Sequence, residues 1–118
     1  MADDRLMCSM LLDFYGELLT EKQRRCFDLH YNEDLSLSEI AEECGISRQG
    51  VWDNIRRAEA FLRETEEKTG LISRFENTRR KLDELYPLLC ALRDMPADKI
   101  GASVEEVIRR VDELRSEE

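Results

Sequence analysis

Arg48, Gln49, Trp52, Arg56 and Arg57 lie within a single short run of the chain, and their chemistry is that of recognition. Arginine and glutamine side chains read purine edges or hold phosphates, and a tryptophan ring can stack on a base. A second reading of the same residues stays open. Arg56, Arg57 and Arg63 would then form a solvated face paired with nearby glutamates, and Trp52 would anchor another helix or subunit. Asp53 is discordant with the first reading, because a carboxylate aimed at a groove repels phosphate. Nothing in the chain resembles catalytic machinery. It has neither a glycine-rich phosphate loop nor an unusual pairing of carboxylates or of a nucleophile with histidine. No catalytic residue and no cofactor is expected.

These residues need an element to hold them, and Ser36 to Arg63 supplies it. Ser36 with Glu39 is a capping box: the serine oxygen accepts a backbone N–H at N3 and the glutamate reaches back to the cap. A helix therefore begins near Leu37, with Ile40 and Ala41 on its apolar side. Gly45 can take the left-handed conformation that ends it. Ile46 fills the turn, and Ser47 caps a second helix whose apolar positions Val51, Ile55, Ala58 and Leu62 recur at helical spacing. Cap, short helix, glycine turn, cap and longer helix make a helix-turn-helix, which offers its second helix to a groove. On a helical wheel Gln49, Asp53, Arg56 and Ala60 point away from the apolar stripe. Trp52 and Arg63 fall on one flank and Arg57 on the other, with Arg48 nearer the buried edge.

The rest of the 118 residues bounds this reading. Hydrophobic residues make up 42% and charged residues 38%, which suits an α-helical protein with one modest core. No apolar run is long enough to cross a membrane, the N-terminus lacks the pattern of a secretory signal, and a cytoplasmic location is expected. The cysteines at positions 8, 26, 44 and 90 have no close pairing and the only histidine is His30, so a zinc site is not expected. They read as small apolar residues on helix faces. Net charge is −9, yet the second helix of the motif sets four arginines against Asp53 and Glu59. Binding to nucleic acid is therefore expected to be modest, selective and salt-sensitive, or to need a partner. An acidic chain with a basic stripe can equally dock on a basic protein.

In chain order, Arg5 to Leu19 reads as a first amphipathic helix with Leu6, Met10, Leu11, Phe14 and Leu18 supplying core. Thr20 and Gln23 form a second capping box for a helix from Glu21 to about Tyr31, with Cys26, Phe27 and Tyr31 inward. His30 reads as a polar residue at its end, favoured by the helix dipole. Gly70 marks a boundary, dividing a helix-turn-helix domain, residues 1–70, from a C-terminal helical extension, residues 71–118. In the extension Leu71, Phe75, Thr78, Leu82, Leu85, Leu89 and Leu92 space out the seam of a coiled-coil-like helix, which Pro87 should kink or split. Ser103 with Glu106 reads as a third capping box, for a last helix bearing Val104, Val107, Ile108, Val111 and Leu114. Both stripes need a partner, for the last helix either the long helix of the same chain or one from another subunit, and a C-terminal module that packs on the N-terminal one and dimerises is expected. Arg79, Arg80 and Lys81 are a second candidate for phosphate contact.

The segments LLTEKQRRCFDLHY and SLSEIAEECGISRQGVWDNIRRAEAFL resemble the DNA-binding region 4 of bacterial sigma factors. Within that class, FYGELLTEKQRRCFDLHYNEDLSLSEIAEECGISRQGVWDNIRRAE is similar to the YlxM proteins of Gram-positive bacteria, short helix-turn-helix proteins encoded beside the signal recognition particle protein Ffh. The likeness is strong over residues 6–75 and beyond them rests on length and character. It implies an all-α, sigma region 4-like bundle and a regulatory role in the signal recognition particle pathway, with the particle's RNA, or DNA, and Ffh as partners. The sigma resemblance places groove-facing roles on Arg48, Gln49, Trp52, Arg56 and Arg57, while Trp52 and Asp53 depart from the polar or basic residues usual there. Two further functions stay open: a protein–protein adaptor using the motif as scaffold, and a transcriptional regulator on a palindromic operator.

Overall fold

The computed structural model describes residues 2–116, and every regular element in it is helical: α1 (Ala2–Tyr15), a 3-10 turn (Gly16–Leu18), α2 (Glu21–Tyr31), α3 (Leu37–Cys44), α4 (Arg48–Thr69), α5 (Leu71–Arg93) and α6 (Ile100–Ser116). The chain divides into two compact units, Met1–Ile72 and Ser73–Glu118.

Local chemistry sets the helix ends of the first unit. Thr20 Oγ1 accepts the Gln23 N–H while Gln23 Oε1 accepts the Thr20 N–H, and Ser36 and Glu39 repeat the arrangement at the start of α3. Both boxes stand where the sequence puts them. Ser47 caps α4 through the Gly50 N–H at 3.0 Å. Gly45 closes α3 at φ +68° and Gly70 closes α4 at φ +65°, a region where a Cβ would crowd the backbone.

α4 is the central element and packs on α1, α2 and α3. Its residues Val51, Ile55, Ala58 and Leu62 are buried among Cys26 and Phe27 of α2, Ile40 of α3, Cys8, Leu11 and Tyr15 of α1, and Ile72. Fully burying an aliphatic side chain of this size contributes roughly 1.5–3 kcal/mol, so this one cluster supplies most of the hydrophobic stability of the unit. His30 is half-buried in the last turn of α2, its ring centroid 4.7 Å from that of Tyr31.

α1 uses a different face from the expected one. Leu11 is buried as read, but Cys8 and Tyr15 join it, while Leu6 and Leu18 stay more than 60% exposed and Phe14 39%. The reason is polar. Tyr15 Oη lies 2.6 Å from Glu66 Oε1 and 2.6 Å from Thr69 Oγ1 on α4, so the ring can be buried with its hydroxyl satisfied. The helix also ends earlier than Leu19, giving way to the 3-10 turn at Gly16, whose missing Cβ would stand 3.0 Å from Leu12 Cδ1.

The second unit holds two corrections. α5 continues through Pro87 without splitting. The ring removes one N–H, and the loss is confined to a single turn of a long helix. Ser103 caps nothing: α6 starts at Ile100, and Glu106 accepts from Arg109 at 2.7 and 3.1 Å and from Arg110 at 3.0 Å. Two arginines within a turn outbid the distant backbone N–H for that carboxylate, holding it down at about 2. Arg110 Nη1 also reaches Glu84 Oε2 at 3.7 Å, linking α6 to α5. The seam of α5 is divided. Leu85 is buried and Leu92 half-buried, while Phe75, Leu82 and Leu89 are exposed.

Candidate nucleic-acid interface

α3, the Gly45 turn and α4 form the helix-turn-helix, and the turn is held by Gly45 N–H and Ile46 N–H both donating to the Ala41 carbonyl, at 2.9 and 3.2 Å. Because Val51, Ile55, Ala58 and Leu62 face the core, the opposite ridge of α4 is left to solvent. Gln49, Trp52, Arg56, Arg57 and Ala60 are all exposed there, and Asp53 is half-exposed. Arg48 is exposed as well, not at the buried edge. It is the first residue of the helix, ahead of the turn that packs on the core, so the wheel angle does not cover it.

The arginines separate into two sets. Arg63 is committed to the fold: Nη2 donates to Asp4 Oδ1 at 2.6 Å and Nε lies 3.4 Å from Glu59 Oε2. Arg48, Arg56 and Arg57 have no ion pair and no side-chain hydrogen bond among the described residues. The two acids of this half of α4 are likewise engaged. Glu59 Oε1 accepts from Tyr31 Oη at 2.6 Å, and Asp53 Oδ1 accepts from Gln49 Nε2 at 3.2 Å. The paired-glutamate arrangement expected as the alternative holds for Arg63 and not for Arg56 or Arg57.

Trp52 is 42% exposed and, with Leu37, Arg48 and Gln49, lines a shallow surface depression at the start of α4. Sequence spacing does not single out Leu37 for this surface. It opens α3, and only folding the turn brings it beside Trp52.

Where α1 meets α4 lies a polar cluster in which Cys8 is buried, Glu59 half-buried and Asp4 exposed. The ligand atoms of Asp4, Cys8 and Glu59 lie within 4.8 Å of one another, a spacing a metal ion could use. The Arg63 guanidinium already pairs with both carboxylates, however, and burial together with the Glu59 and Asp4 charges pushes the Cys8 thiol up to about 11. As it stands the cluster ties α1, α2 and α4 together, through Tyr31 on Glu59 and through Arg63 on Asp4 and Cys8.

Comparison with known proteins agrees with this geometry. Residues 2–95 match the family model of YlxM / p13 like helix-turn-helix proteins, UPF0122. A UPF0122 protein of Thermoanaerobacter sp. strain X514 is 44% identical over 115 residues, covering 97% of this chain and 98% of the relative. One from Shouchella clausii is 43% identical over 114 residues, covering 97% and 99%, and one from Halalkalibacterium halodurans is 52% identical over 85 residues, covering 72% and 78%. The chain belongs to the UPF0122 family of YlxM / p13 like helix-turn-helix proteins.

Proposed function

We propose that this protein is a non-catalytic nucleic-acid-binding regulator that inserts α4 into the major groove of duplex DNA, with Arg48, Gln49, Trp52, Arg56 and Arg57 as its contact residues. The observation that carries the reading is the set of three unpartnered arginines on the exposed ridge of α4, while Arg63 on the same helix is tied to Asp4 and Glu59. Unpaired guanidiniums need no internal ion pair to break before they meet phosphate, which favours binding in a chain of net charge −9. Duplex DNA is favoured over duplex RNA because the A-form major groove is too narrow and deep to admit a helix. Residues 1–70 are the DNA-binding domain in this reading and residues 71–118 an extension that pairs two copies, since Phe75, Leu82 and Leu89 on α5 and Ile108 and Val111 on α6 are exposed. The site of action is the cytoplasm.

A role in the signal recognition particle pathway is the reading that the YlxM resemblance adds, and the exposed Trp52 favours a protein-docking version of it. The experiment that decides is salt-dependent binding of the full chain to random duplex DNA, to signal recognition particle RNA and to Ffh. Salt-sensitive DNA binding supports the proposal. Binding to the RNA instead would move α4 to an RNA role, and binding to Ffh alone, at all salt concentrations, would make the motif a scaffold.

A further inference from the structure

We infer that Asp53 is a positioning residue that holds Gln49 to read an adenine in the major groove, an inference that rests on the reading of α4 as a DNA-contacting helix. Gln49 Nε2 donates to Asp53 Oδ1 at 3.2 Å, one turn along the exposed ridge. Gln49 is the second residue of α4, in the N-terminal turn from which a helix-turn-helix motif meets base edges.

The chemistry of the amide makes this pair specific. An ionised carboxylate only accepts hydrogen bonds. It therefore draws the nitrogen of Gln49 toward itself and repels the oxygen, and so fixes which end of the amide faces which way. A primary amide has two N–H bonds: one lies on the same side as the oxygen and the other points away. Adenine presents its N7 acceptor and N6 donor side by side in the groove, and glutamine matches them with the near-side N–H and Oε1. The far-side N–H is the one left over, and Asp53 is placed to take it. A carboxylate that looks misplaced near phosphates thus contributes selectivity and weakens overall affinity.

The surroundings fit the same base pair. Leu37 and Trp52 line the shallow depression that Gln49 borders. A thymine 5-methyl group in the groove would meet apolar surface there, the contact that distinguishes thymine from cytosine.

The test is selection of binding sites from a random duplex DNA library by the full chain and by Gln49→Ala, Asp53→Ala and Asp53→Asn, followed by titration of the selected duplex. The wild type is expected to enrich a site with one fixed A·T pair, whose replacement by G·C weakens binding about tenfold. Gln49→Ala should reduce that discrimination to about twofold or less. Asp53→Ala should bind the pool at least as tightly as the wild type, one negative charge being gone, yet lose the same discrimination. Asp53→Asn offers a donor as well as an acceptor, so it no longer fixes which end of the Gln49 amide faces it and should also reduce the discrimination. Discrimination that survives in Asp53→Ala overturns the inference, as does a Gln49-dependent position occupied by another base or no enriched site at all. Failure of the wild type to bind any duplex overturns the DNA reading of α4 itself, whereas a selected site indifferent to Asp53 overturns only its role.

Discussion

Tyr31 on α2 donates its hydroxyl hydrogen to Glu59 on α4 at 2.6 Å, and the same carboxylate is held on its other oxygen by Arg63. Burial and the bond to Glu59 hold the Tyr31 phenol well above its usual range, so it stays a donor. Tyr31→Phe removes the donor and leaves Glu59 with Arg63 as its ion-pair partner, so a loss of about 1–2 kcal/mol is expected. Urea unfolding measures it, and a variant as stable as the wild type would show that the clasp contributes nothing.

Arg56→Ala together with Arg57→Ala is expected to weaken duplex binding and to flatten the dependence of log K on log salt by up to about two, roughly one for each phosphate no longer neutralised. Fold stability should be unchanged, since neither arginine has a partner among the described residues. An unaltered slope would assign both side chains to solvent.

Gly45 ends α3 at φ +68°, and apart from its own and the two adjoining residues nothing lies within 4 Å of where a Cβ would stand. Gly45→Ala therefore meets no clash with neighbouring side chains and carries only the backbone cost of a left-handed residue, about 1–2 kcal/mol. Gly45→Asn should lose less, because asparagine tolerates that conformation. Equal losses in the two variants, by chemical denaturation, would mean that the strain lies elsewhere.

Glu39 accepts the Ser36 N–H at 3.1 Å, and that bond holds its carboxyl below the ordinary 4.5. A carboxyl lowered by folding contributes stability above its unfolded value, and the contribution is lost as pH falls from about 4.5 through its folded value. Acidification should therefore loosen the start of α3, and Glu39→Gln, which keeps an acceptor without titrating, should show a shallower loss of thermal stability between neutral and acid pH. Identical profiles for the two proteins would remove the capping box from the acid response.

Leu82 is 50% exposed on α5. Leu82→Asp is accordingly expected to leave helix content nearly unchanged while converting a dimer to a monomer in sedimentation velocity. A wild-type monomer at micromolar concentration would refute pairing through this face.

Much of the first unit was legible in the chain because its signals are local. Ser36 with Glu39, Thr20 with Gln23, Gly45, Ser47 and Gly70 satisfy or release backbone groups within a few residues of themselves. The stripe Val51, Ile55, Ala58 and Leu62 lies on one helix, where periodicity alone picks the buried face. The identity of the arginine-bearing ridge follows from that stripe. Other choices belonged to tertiary structure because their partners are remote in sequence. α1 buries Tyr15 because Glu66 and Thr69 wait for its hydroxyl, which an apolar stripe of Leu6, Phe14 and Leu18 does not reveal. Arg63 is withdrawn from the ridge by Asp4, fifty-nine residues away, so only the fold separates it from Arg56 and Arg57. Ser103 and Glu106 have the spacing of a capping box, yet helix α6 starts before them and the two arginines that follow claim the carboxylate. Local spacing determines which bonds a residue is able to make, and the competition among distant partners determines which of them it keeps.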